Sequence, residues 1–165
     1  MVKIMRNRLI SKVIKYGADI LISENMLLEK AFIQHGATNV FEHSFNVACI
    51  SLFIVYILHL KVRERDLVRG ALLHDYFLYD WHKDDHEGPH GFTHARCALK
   101  NARRDFDVNN VEGDIIEKHM FPLNIAPPKC RESAIVCAAD KASAVIEFFR
   151  IKKLQFKYDE NAPKT

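Results

Sequence analysis

The sequence predicts an all-α fold: a single-domain helical bundle of about six to eight helices. Three observations carry this reading. Apolar residues recur at helical spacing through most of the chain, as in the stripe Ala95, Leu99, Ala102 and Phe106. Breaking and capping residues punctuate that pattern, with Gly17, Gly36, Gly88-Pro89 and Pro127-Pro128 falling between the periodic runs. No segment alternates with period two for long enough to make a convincing strand.

The elements follow in order. Residues 2–22 have helical periodicity broken near Gly17, and a short helix over 24–33 ends at His35-Gly36. Thr38-Asn39 precedes a long helix over 41–59, with His59 as its C-terminal cap. Its apolar run contains Asn46 and Ser51 and is too short to span a bilayer, so it reads as a buried helix. Residues 64–78 make the next helix, in which Gly70 is a mild cost. Residues 79–91 are polar and form a loop. A helix over 93–106 follows. Asn109 with Glu112 forms a capping-box pattern that opens a helix running to Met120 and stopping before Pro122. The last helix covers 131–154, and 161–165 reads as a frayed end. The organisation is residues 1–40 as N-terminal helices packing on a core of 41–154, with 155–165 as a tail.

Composition narrows the function classes. The chain has 165 residues and a formal net charge of +3, so bulk charge gives no reason to invoke nucleic acid or a membrane surface. Basic residues at the two ends read as solvated helix faces. Cys49, Cys97, Cys130 and Cys137 form no C-x-x-C pair, and three of them sit among apolar residues. That pattern fits a reducing cytoplasm. The N-terminus alternates basic and apolar residues without a continuous apolar core, unlike a secretory signal.

The chemistry lies in polar groups placed on apolar stripes. His43 is in helical phase with Val47, Ile50 and Ile54, and His74 with Leu67, Ala71 and Leu78. Asp75 is in phase with Val68 and Leu72, and His94 with Ala98 and Ala102. His119 shares a face with Ile115 and Ile116, and Asp140 with Val136 and Ala144. One buried histidine on such a stripe is usually a satisfied core residue. A buried aspartate is costly unless paired or metal-bound, and six such groups on five helices are hard to explain as core. Imidazole nitrogen with carboxylate oxygen suits first-row divalent metals, and a set of this size has the charge logic of a two-metal hydrolytic site.

The order His43, His74-Asp75, Asp140 resembles the HD-domain superfamily of metal-dependent phosphohydrolases. The added His94 and His119 resemble its dinuclear branch, which includes dinucleoside polyphosphate hydrolases, cyclic-dinucleotide phosphodiesterases and some di-iron oxygenases. The resemblance runs over about residues 41–149. It implies a centre of two divalent ions, iron or manganese first among them. Asp75 would bridge the ions, and His43, His74 and Asp140 would complete the protein ligands of one. His94 and His119 would hold the other. Asp75 and His74 would be the catalytic heart of the site, acting with a metal-activated water. The segment after the doublet, HDYFLYDW, carries neither the lysine nor the acidic pair found in many nucleotide-cleaving relatives. The glycine-tyrosine-proline segment of cyclic-dinucleotide enzymes is also missing. These departures argue against a guanosine tetraphosphate or cyclic-dinucleotide substrate.

Substrate contacts are sought in the loop beside the doublet and in its neighbours. His82, Lys83 and His90 border the expected pocket, although a solvated loop explains them equally well. Helix phase favours His94 over His90 as the ligand. His35 precedes the first ligand helix and is within reach of the pocket; its plainer reading is a helix end beside Gly36. Lys141 adjoins Asp140 and is a candidate for phosphate, with a surface role as the alternative. Arg96 reads as surface. The expected activity is hydrolysis of a phosphate ester or anhydride in a small, nucleotide-type substrate, without stable nucleic-acid binding or membrane association. A di-iron oxygenase on the same scaffold and a non-catalytic metal-binding regulatory domain are the competing readings.

Overall fold

A computed structural model of the chain describes residues 2–83, 90–149, 155, 156 and 158. The side chains of His35 and His90, and all of 84–89, lie outside the described part. The architecture is all-α, with one two-stranded hairpin among the described residues. Helices α1 (Val2–Tyr16), α2 (Ala18–Leu21) and α3 (Glu24–Leu28) come first, followed by a single 3-10 turn at Glu29–Ala31. Strands β1 (Ile33–His35) and β2 (Thr38–Asn39) make the hairpin. Then come α4 (Val40–Ile57), α5 (Glu64–Leu73), α6 (His90–Asp105), α7 (Asn110–Lys118) and α8 (Arg131–Phe148).

Helix α4 is the central rod. It packs against α1, α5 and α8, while α7 bridges α5, α6 and α8. Asn39 caps its start by accepting a hydrogen bond from the Glu42 amide. Phe41, Phe45, Val47, Ala48 and Leu52 are buried along it, and each large side chain contributes about 1.5–3 kcal/mol on leaving water. This is the one described helix long and apolar enough to cross a membrane, and most of it is buried inside the fold. Its end is a left-handed cap. His59 has φ of 49°, and the Leu60 amide donates to the Val55 carbonyl, satisfying a carbonyl the helix leaves open. Part of the segment expected as a tail lies on α4 as well. Tyr158 meets the rings of Phe41 and Phe45 edge-on, and the Phe156 amide donates to Asn46 Oδ1.

Gly70 has a packing reason. A Cβ there would lie 2.5–2.9 Å from Ile115 side-chain atoms, so the glycine lets α7 approach α5 closely. The Asn109–Glu112 capping box forms as the sequence indicates.

Several boundaries differ from the sequence reading. The helix expected over 24–33 stops at Leu28, because the chain turns into the hairpin, with Gly36 at φ of 61° in its turn. The helix expected to reach residue 78 ends at Leu73, so the His-Asp doublet sits in the turn that follows. Helix α6 starts at His90, earlier than expected, and α7 stops at Lys118, with His119 as its cap. Helix α8 ends at Phe148, and 150–154 lie outside the described residues.

Candidate metal centre

Five helices deliver the six groups to one buried spot. His43 comes from the first turn of α4, His94 from α6 and Asp140 from α8. His74 and His119 are the C-terminal caps of α5 and α7. Both caps use the same device. The Nδ1–H of His74 donates to the Ala71 carbonyl at 2.7 Å, and that of His119 donates to the Ile116 carbonyl at 2.8 Å. Each ring thus satisfies a carbonyl left open at the helix end. Each also fixes its own tautomer, turning the Nε2 lone pair toward the centre. His43 is oriented differently. Its Nδ1 lies 2.9 Å from Glu147 Oε2, while Nε2 faces Asp140 Oδ1 at 3.1 Å. Glu147 is held in turn by Ser143 and Asn46.

Asp75 divides the centre. Its Oδ2 lies 3.7 Å from His43 Nε2 and 3.4 Å from His74 Nε2, on the side of Asp140. Its Oδ1 lies 3.4 Å from both His94 Nε2 and His119 Nε2, which are 2.9 Å from each other. Metal–ligand bonds of about 2.1 Å at octahedral to tetrahedral angles place neighbouring ligand atoms roughly 3.0–3.4 Å apart. Two donor sets of about that spacing, joined through one carboxylate, fit divalent ions. His74 Nε2 and Asp75 Oδ1 are buried without a hydrogen-bond partner among the described residues. Such orphaned atoms are costly in a dry interior, and both are aimed at the centre. His43, His74 and Asp140 form one group of ligand atoms within 4.8 Å of one another, and His74, Asp75 and His119 form another.

Electrostatics point the same way. Burial alone would depress the His43 imidazole, but the hydrogen bonds it donates to Asp140 and Glu147 and their charge hold it at about 9. His74 is also raised, because the charges of Asp75 and Asp140 outweigh burial. Burial opposes ionisation of Asp75 and Asp140, yet the neighbouring histidines keep both below the usual carboxylate range. The carboxylates demand positive charge at this spot, and divalent cations meet the same demand as protons do.

The centre opens on a cleft of about 310 Å³ whose wall includes Gln34, Trp81, His94, His119, Lys141 and Leu123. Lys141 reaches the rim and donates to the His119 and Cys137 carbonyls at 3.0 and 3.2 Å. His82 and Lys83 turn to Asp80 instead and do not line the cleft. The side chains of His35 and His90 fall outside the described residues. Arg96 is exposed on α6.

Three residues here were not anticipated. Glu147 was legible: it lies two helical turns after Asp140 on the same face of α8. Gln34, which donates to Asp75 Oδ2 at 2.6 Å, owes its place to the hairpin. Glu29 is buried behind the doublet and accepts the Leu78 amide at Oε1. Leu78 has φ of 62°, a strained value for leucine, three residues after Asp75. Burial pushes the Glu29 carboxyl to about 8 against the pull of the Leu78 amide, and the charge of Asp75 adds to the rise.

The HD domain family profile matches residues 40–145, a span that includes all six groups. The chain belongs to the HD domain family. HD domains make up a superfamily of metal-dependent phosphohydrolases, and this one keeps a donor set compatible with metal. Neither a curated protein nor a solved structure matches the chain.

Proposed function

We propose that this HD domain is a phosphohydrolase that cleaves esters or anhydrides of a small, nucleotide-type phosphate with two divalent ions. The observation that carries the reading is the division of Asp75. One oxygen faces His43 and His74, which also face Asp140, the other faces His94 and His119, and the centre adjoins a cleft. Iron and manganese suit this mixed nitrogen and oxygen set. Bound there, the ions would supply the positive charge that lowers the pKa of a water and neutralises phosphoryl oxygens.

The protein's own groups have separable tasks. Asp75, Asp140 and the four histidines hold the cationic centre. The Ala71 and Ile116 carbonyls and Glu147 lock the imidazoles in the tautomers that present Nε2. Lys141 Nζ stands at the rim, where it can leave its carbonyl partners for a phosphate oxygen. The reaction joins a water oxygen to phosphorus and breaks the bond from phosphorus to the leaving oxygen. A proton lost by the water ends on that oxygen.

The test is elemental analysis of freshly purified protein beside hydrolysis of an aryl phosphate monoester and diester. About two ions per chain with turnover is the expected result. Asp75→Ala should lose both metal and activity, and His119→Ala should lose about one ion per chain. Unchanged metal stoichiometry in His119→Ala would reduce the centre to a single ion. Failure to take up metal, even after anaerobic reconstitution, would end the proposal.

A further inference from the structure

We infer that Gln34 positions the attacking water, holding one of its O–H bonds through the side-chain carbonyl; this rests on the phosphohydrolase reading above. The direction of the amide is settled by chemistry. The atom 2.6 Å from Asp75 Oδ2 is the NH2 group, which donates to that oxygen; an amide oxygen in its place would set two acceptors against each other. The other end, Oε1, is therefore an acceptor. It is buried, has no partner among the described residues, and belongs to a side chain in the wall of the cleft.

The backbone is built to place it. Between the pairs Ile33–Asn39 and His35–Thr38, Gln34 is the extra residue of an irregular register. Such a bulge re-aims a side chain out of the regular alternation. Trp81 Nε1 donates to the Ile33 carbonyl at 3.1 Å and ties the segment after the doublet to this strand.

A molecule that enters the cleft can supply the missing donor. Among the described residues, three donors near it are engaged: His74 and His119 give their Nδ1–H to backbone carbonyls, and Lys141 donates to the His119 and Cys137 carbonyls. Ionised phosphoryl oxygens are acceptors and are repelled by Oε1. A water is the ligand that brings an O–H to this position. Holding one O–H at Oε1 fixes the rotation of the water and leaves a lone pair free for phosphorus. The amide takes no proton, so its effect is orientation alone, as with other glutamines that orient water in phosphoryl transfer. During attack the water oxygen bonds to phosphorus, the leaving oxygen departs, and the released proton passes to that oxygen.

Gln34→Met keeps the length and burial of the side chain and removes both ends of the amide. With an aryl phosphate, kcat should fall on the order of 100-fold, as for loss of a near-attack geometry. KM, metal content and calorimetric affinity for inorganic phosphate should stay at wild-type values. A crystal structure of the metal-reconstituted wild type should show a water within about 3.2 Å of Oε1. A raised KM or weakened phosphate binding at unchanged kcat would make Gln34 a substrate contact and overturn the inference. Lower metal content in the variant would reduce it to a support for Asp75. A vacant Oε1 in the crystal overturns it whether or not the variant folds. If the wild type turns over no phosphate, the proposed function fails by itself, and the crystallographic water still decides whether Gln34 holds one.

Discussion

Replacing Glu29 with glutamine tests the electrostatics behind the doublet. Glu29 is fully buried, and its carboxyl is raised from the ordinary value of 4.5 to about 8, chiefly by burial. In the unfolded chain it ionises near 4.5, while in the native protein it keeps its proton until about pH 8. Between those values the native state binds one more proton than the unfolded state. Stability is therefore fully present below the unfolded value and declines as pH rises toward 8. The slope is about 1.4 kcal/mol per pH unit, so the wild type has lost about 3 kcal/mol by pH 7. Glu29→Gln keeps an oxygen for the Leu78 amide and removes the titration. The two proteins should match near pH 4.5. At pH 7 the variant should lead by about 3 kcal/mol, which for a chain of this size is roughly 6–12 °C in Tm. The assay is urea and thermal unfolding by circular dichroism at pH 5, 6, 7 and 8 on both proteins. Stability curves that run parallel in pH would refute the reasoning, because they would mean that the native carboxyl is already ionised.

Two other changes probe separate layers. Glu147→Gln keeps the size of the group that holds His43 Nδ1 but removes its charge. Metal affinity measured by competition with a chelator should fall about 10- to 100-fold, while the fold stays intact; an unchanged affinity would show that His43 needs no carboxylate behind it. Gly70→Ala sets a methyl 2.5–2.9 Å from Ile115 atoms, two of them close to its branch point. It should cost about 1–3 kcal/mol in urea unfolding, by forcing α5 and α7 apart. A stabilised variant would mean that the interface yields freely.

The sequence by itself determined the helical class and singled out the six polar groups on apolar faces. Helical phase is local, so His43, His94, Asp140 and their apolar neighbours could be assigned to buried faces before any helix was placed in space. Asn109 with Glu112 announced a helix start because a capping box is complete within four consecutive residues. Glu147 belongs to the same legible group, since one helix sets its relation to Asp140. Tertiary structure decided the rest. The end of α5 at Leu73, which puts Asp75 in a turn with its two oxygens facing different histidines, depends on contacts from distant segments. Glu29, 49 residues earlier, receives the Leu78 amide and holds that turn. Gln34 meets Asp75 across 41 residues through a hairpin too short to leave a period-two signal. Phase along a helix tells which face a residue occupies. The distance between two faces, and so whether six donors converge on one centre, is set by how the helices pack.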